Sequence, residues 1–484
     1  MDFFAVISFL FLYYIRPHEW IPVLKAIRPV TLSIILAVVS LFLHRGLKWR
    51  DFFQTPHDWF MMAYFVWFYI FSPTMSRTFS MSWQTNPMPV YYCVAIVTLI
   101  SLGRLQGLLN WWTFFIVALA AIAVASEYGF DPTGSHDLNA GPMKGRLAMS
   151  TSVFRNPNAL GHSLVVSITM LYFVGIWKRP VFVRIPMIFL MIIPIFAVYL
   201  TLSKGAFLTG FATIITALAF RRPKAVQIFI AVVALTAGWS AVQLLPRMQE
   251  VESSKTDEAI QGRVMAFRFG LTTMKSKIRG VGYPNFQREF ERVYHFQKAP
   301  HSSYVRVGAE QGMVGLFLFV GLLYCCVRTL VFAITTSDEE ERIRRTLFVM
   351  LVGYAVSSWM IGWSDRCTFF LTVAAVGAFH RRLLSHAEPP QEDENSVGVP
   401  RVTFATPTQP QLQPVPAGMA PIQMHTAVPT TEIVVEPSTE SGETISPRLA
   451  ALALWNRITW IDLVIVGVLT FFTIEFWEYI MKKM

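Results

Sequence analysis

Long uninterrupted apolar runs restrict the fold of this chain more than any other feature. Leu108 to Ser126, Leu160 to Trp177, Ile185 to Leu202, Ala225 to Leu245 and Met313 to Ile334 approach or exceed the roughly 20 residues a helix needs to cross a bilayer. None of them alternates apolar with polar residues, which argues against the strands of a membrane barrel. With 54% hydrophobic and 15% charged residues, the 484-residue chain lies outside the range of soluble globular domains.

Applied along the whole chain, the same criterion gives candidate spans at 3–15, 30–43, 58–72, 90–102, 108–126, 160–177, 185–202, 205–220, 225–245, 312–334, 346–363, 367–380 and 461–480. The expected fold class is therefore all-α, a polytopic membrane protein of about 12–13 transmembrane helices. The N-terminus has no basic n-region and no small-residue cleavage site, so it reads as a retained first helix. Cys93, Cys325, Cys326 and Cys367 lie in or beside apolar spans without metal-ligand spacing and read as small core residues.

A net charge of +11 would suggest nucleic acid in a soluble protein. Here much of the Lys and Arg sits in short loops (Arg45, Lys48, Arg50, Arg104, Lys178, Arg179, Arg184, Arg221, Arg222, Lys224), all on one face of the predicted topology. The positive-inside rule makes that face cytoplasmic, and no nucleic-acid partner is expected. In a bacterial inner membrane the two long loops, 127–159 and 246–311, then fall together on the periplasmic side, where long loops on a rigid scaffold are expected to carry chemistry.

The chain thus divides into N-terminal transmembrane helices (1–126), a core with two periplasmic loops (127–385), a tail (386–455) and an additional C-terminal transmembrane helix (456–484). The tail is rich in Pro, Thr, Gln and Glu and nearly free of aromatic residues; it reads as a disordered cytoplasmic tether.

Within the second long loop, Ile260, Val264, Phe267, Leu271, Met274 and Ile278 recur at spacings of three and four, predicting an amphipathic helix over Ala259 to Ile278 on the membrane surface or capping a cavity. Arg263, Arg268, Lys275 and Lys277 lie off that stripe, a pattern that also fits plain contact with lipid phosphates. Gly280-Val281-Gly282 lacks the strand and helix of a dinucleotide fingerprint and reads as a tight turn.

Further on, Pro300 and Ser302 mark a helix start and put His301 at its mouth, where free N–H groups favour an anion. The ring could be a cap, a general base or a phosphate ligand. In the first long loop Phe154-Arg155-Asn156-Pro157-Asn158 combines turn and capping residues. Ser203-Lys204-Gly205 places a cation on the periplasmic face against the positive-inside trend.

Taken in order, Phe154-Arg155-Asn156-Pro157-Asn158, Ser203-Lys204-Gly205, Gly262-Arg263 with Phe267, Gly280-Val281-Gly282, His301-Ser302-Ser303-Tyr304, Glu310-Gln311-Gly312 and Gly315-Leu316 resemble the O-antigen ligase and polymerase superfamily over about residues 140 to 330. The resemblance implies a glycosyltransferase-C-like helical fold and a transfer of glycan from undecaprenyl diphosphate to an acceptor hydroxyl, with no metal, nucleotide or other cofactor. The acceptor would be lipid A core, another glycan or a protein. It further implies that Arg263 and Lys204 hold the diphosphate and that His301 is base or phosphate ligand; Arg146 and Arg155 are further candidate diphosphate contacts.

Two positions depart from the family pattern: Lys204 stands where the family usually has Arg, and Ser302 where it usually has Asn. Lysine lacks the bidentate fork that matches a phosphate. An O-antigen or exopolysaccharide polymerase fits the same residues, since it needs the same diphosphate clamp. A lipid-linked glycan transporter or flippase is the rival of another class, but apart from Glu475 the spans offer no mid-membrane ionisable residue for ion coupling. A scaffolding role would leave the periplasmic cations unexplained.

Overall fold

The computed structural model describes residues 2–43, 49–85, 87–141, 143, 145–244, 258–387 and 455–483, and every element among them is helical. A helix occupies each expected span. Leu102–Glu127, Pro157–Ile176, Val181–Thr201, Ser303–Phe332, Cys367–Ser385 and Trp460–Lys483 are long and apolar enough to cross a membrane. The apolar helices Asp2–Tyr14, Pro29–Phe42, Met88–Thr98 and Lys204–Ala219 are shorter, and Pro56–Tyr69, Lys224–Leu244 and Asp338–Ser357 complete the set. Apart from its end residues, the tail at 386–455 lies outside the described residues, as do Arg45, Lys48 and the stretch 245–257.

Helix starts follow local chemistry legible in the sequence. Pro29, Pro56 and Pro157 each open a helix, where proline's missing N–H costs nothing. The hydroxyls of Ser101, Ser203, Ser302 and Ser337 accept from the backbone N–H three residues on, satisfying one orphan donor apiece. Thr55 and Asp58 form a capping box.

Burial separates the centre of the bundle from its rim. In the apolar stretch of the Cys367–Ser385 helix 83% of the residues are buried, against 17% and 22% in those of Val181–Thr201 and Trp460–Lys483. Those outer helices expose Phe182, Phe189, Phe471 and Phe472, a distribution that only hydrocarbon solvent tolerates. Cys325, Cys326 and Cys367 are buried and outside any disulfide, in keeping with their reading as core residues; Cys93 is half-buried.

One helix is broken, and the break positions the loop end of the molecule. Within Ser303–Phe332, Gly312 has φ 72°. A Cβ there would come within 1.9 Å of the Ile278 carbonyl oxygen, so only glycine fits. The break frees three successive carbonyls, and each finds a donor from outside the helix. Val281 N–H donates to Ala309 O at 2.9 Å, Gly282 N–H to Glu310 O at 2.8 Å, and the Trp67 indole to Gln311 O at 2.8 Å. The Gly280-Val281-Gly282 turn, with φ of 62° and 77° at its glycines, is thus a splint for the broken helix.

The two ends of the bundle differ in character. Ser303 N–H bonds Ser358 O, so the start of the broken helix meets the end of Asp338–Ser357 at the loop end. At the opposite end the acidic first turn of Asp338–Ser357 pairs with Lys178 and Arg179, two of the basic short-loop residues.

Candidate functional site

The first long loop is stitched to the helices behind it by Arg146. Its Nε donates to Thr201 O at 3.0 Å and its Nη2 to Asn158 Oδ1 at 2.9 Å. Asn156 caps the next helix by accepting from Asn158 N–H at 2.8 Å. Asn-Pro-Asn therefore serves as a capping turn and also presents an amide to an arginine. Leu202 adopts φ 48°, and the chain turns directly into Lys204–Ala219, leaving Lys204 exposed at that helix start.

Two glycines bring these helices together. A Cβ on Gly161 would meet Thr201 Oγ1 at 2.8 Å, and one on Gly205 would meet His162 Nε2 at 2.7 Å. His162 is buried, with Nδ1 2.8 Å from Ser357 Oγ. Sequence reading passed over it inside an apolar run, although a titratable ring in such a run is itself a signal.

In the second long loop, Glu258–Ser276 forms the expected amphipathic helix and packs along the first half of the Ser303 helix. Phe267, Leu271 and Met274 of the stripe are buried. Ile278 falls beyond the helix end and is 75% exposed, because the chain leaves helical geometry to form the glycine splint. The expected single basic face is divided. Arg268 and Lys277 are exposed and Lys275 pairs with Glu478. Arg263 instead is half-buried, and its charge reaches both His301 and His162.

His301, at φ 47°, lies immediately before the Ser302 cap. The backbone around it is strapped to the 358–363 loop. Ser302 Oγ donates to Ser358 O at 3.1 Å, Ser303 Oγ donates to Ile361 O at 2.9 Å, and Ser303 Oγ accepts from Trp363 N–H at 2.8 Å. A hydroxyl in place of the family's asparagine at position 302 thus serves as cap and strap. Burial, followed by the charges of Arg263 and Lys298, pushes the His301 imidazole down to about 4, so it is neutral at pH 7.

The ring opens onto a cleft of about 320 Å³ whose walls include Asn156, Asn158, Phe286, Gln287, Arg306, Glu310, Trp363 and Arg366. Both long loops therefore meet at His301. Arg263, Lys204, Arg146 and Arg155 do not line this cleft. The Arg263 charge acts on the His301 ring, Arg146 and Lys204 flank the Thr201–Ser203 turn, and Arg155 is exposed beside Asn156.

Three charged residues of this region, Arg306, Asp365 and Arg366, escaped sequence reading, and Glu310 entered it only as part of a motif. Arg306 pairs with Glu310 at 3.2 Å and with Asp365 at 3.0 Å, while Tyr283 donates to Asp365 at 2.9 Å. Burial raises the Asp365 carboxyl, but the Arg306 and Arg366 guanidinium groups more than offset that and hold it below the usual range. Arg366 lines the cleft with a buried Nε that has no hydrogen-bond partner among the described residues. The adjacent charges Asp365-Arg366 between two apolar spans were the available signal. A neutral ring nitrogen in a cleft surrounded by fixed cations can accept a proton while stabilising anionic charge nearby.

Residues 189–320 match the family model described as O-antigen ligase. Lys204, Arg263 and His301 fall within that segment; Arg146 and Arg155 lie before it. No curated protein matches the chain. With helices long and apolar enough to cross a membrane, and only helices among the described residues, the chain is a multi-pass membrane protein of the all-α class whose residues 189–320 match an O-antigen ligase domain, a match that supports an enzyme of ligase or polymerase type.

Proposed function

We propose that the protein transfers a glycan from undecaprenyl diphosphate to an acceptor hydroxyl, without a metal, at the periplasmic face of a bacterial inner membrane. The observation that carries this reading is His301 at a cleft walled by both long loops and by Arg306 and Arg366, with the Arg263 charge near enough to act on the ring. In the transfer, the bond between the sugar's anomeric carbon and the diphosphate oxygen breaks, and its electron pair leaves with the diphosphate. Arg263 and Lys204 stabilise that developing charge, with Arg146 and Arg155 as outer contacts. The acceptor oxygen bonds to the anomeric carbon and its proton passes to the His301 ring. Lipid A core as acceptor makes the enzyme a ligase; a second lipid-linked repeat unit makes it a polymerase.

Purified protein in lipid vesicles, given undecaprenyl-diphosphate glycan and an acceptor, should form product in excess EDTA. Export of intact donor across the vesicle membrane without product would support a flippase instead.

Sidedness and the tail give two further tests. With Pro246 to Gln311 on the periplasmic side, a cysteine placed at Ser254 should react with an impermeant thiol reagent in whole cells, and one at Lys224 should not. The reverse pattern would remove the cleft from its substrate. Deletion of residues 391–440 should leave membrane insertion and transfer within about twofold of wild type, since the composition of this segment predicts no contribution to a packed core.

A further inference from the structure

The Trp460–Lys483 helix lies outside the matched segment and returns to the bundle after a long tail, yet it reaches the two helices that flank the site. It packs against Ser303–Phe332 and Glu258–Ser276. Its inward stripe is Asp462, Val466, Thr470 and Trp477, the rest of the helix being largely exposed. At its start, buried Asp462 pairs with Arg328 and accepts from Tyr324, Trp455 and Thr459.

Near its end, Trp477 is fully buried and sits over two glycines, one on each flanking helix. A Cβ on Gly270 would lie 3.1 Å from the indole, and one on Gly308 3.2 Å from it. The neighbouring contacts tie the same point down. Phe267 meets the indole edge-on at 6.4 Å, Glu478 pairs with Lys275, and Phe476 packs on Trp359, which lies 4.5 Å from Tyr304.

Gly270 lies two helical turns after Arg263, and Gly308 lies seven residues after His301. At 1.5 Å of rise per residue, the indole is roughly 10 Å along each segment from the group proposed to act on substrate.

We propose that Trp477 is a positioning residue for glycan transfer, a pin inserted between the Arg263 helix and the His301 helix that fixes their relative register. The proposal rests on the reading of Arg263 and His301 as the two halves of the site. Emptying the pin lets the helices slide by an amount that leaves each half intact and misaligns them, and misalignment penalises the transition state more than donor binding.

The test compares Trp477→Ala, Trp477→Phe and Val466→Ala in the full-length protein, with Arg263→Ala alongside. Val466 is on the same stripe but away from the glycine pair, so it controls for loosened helix packing. The expected result is a loss of tenfold or more in kcat for Trp477→Ala with donor KM within about twofold, partial rescue by Trp477→Phe, and near wild-type kcat for Val466→Ala at equal folded yield. Wild-type kcat in Trp477→Ala, or equal losses in Trp477→Ala and Val466→Ala, overturns the pin while leaving the site reading intact. If Trp477→Ala does not accumulate, the Phe variant decides: wild-type kcat there overturns the proposal, and reduced kcat at unchanged KM supports it. Full activity in Arg263→Ala removes the site reading, and the pin with it.

Discussion

Replacing His301 with asparagine should abolish most glycan transfer, by about two to four orders of magnitude in kcat, while the protein still inserts and still binds its lipid-linked donor. An amide can keep a hydrogen bond or a cap, but it cannot take up the acceptor's proton at neutral pH. Folding should be little affected, because the cap of the following helix is Ser302 and the strap bonds belong to Ser302 and Ser303. His301→Ala should behave alike. Transfer near the wild-type rate in the asparagine variant would end the general-base role and leave a phosphate ligand as the better account.

The pH profile gives this prediction a second readout. The imidazole is pushed down to about 4, so its neutral form persists well below pH 6.5, and its burial costs stability progressively as pH falls from 6.5 to about 4, with no further loss below that. The acid limb of kcat/KM, which reports the free enzyme, should therefore lie near pH 4 rather than 6.5. Bound diphosphate neutralises the surrounding cations and favours the imidazolium, so the limb of kcat should lie higher. Lys298→Met removes one of the charges that lower the ring, so its kcat/KM limb should move up toward 6.5. An unmoved limb would detach the titration from His301.

Arg263→Ala should lose transfer by about a hundredfold or more, since removing one charge-assisted contact to a transition-state anion costs on the order of 3 kcal/mol. Lys204→Arg should hold or raise activity, because a guanidinium restores the two-pronged phosphate geometry that an ammonium lacks. Wild-type transfer in Arg263→Ala would return this arginine to the lipid-headgroup role that Arg268 and Lys277 suit by their exposure.

The molecule divides instructively between what a linear pattern encodes and what it cannot. Long apolar runs determined the all-helical membrane fold, because a bilayer accepts only segments that satisfy their own backbone groups. Capping residues and helix-opening prolines determined where helices begin, since caps are local chemistry. The ordered motifs led to the ligase and polymerase superfamily and to His301, Arg263 and Lys204.

Tertiary structure alone decided which basic residues turn inward. Arg263 and Arg268 share a helix, and only its packing against the Ser303 helix sends one toward His301 and the other outward. The glycine segment reads as a tight turn in the sequence, but only the break at Gly312 shows which acceptors its N–H groups serve. Arg306, Glu310, Asp365 and Arg366 converge from segments more than fifty residues apart, and Trp477 reaches its two glycines across the whole tail. Such contacts depend on how separate helices pack, and no local pattern in the chain records that.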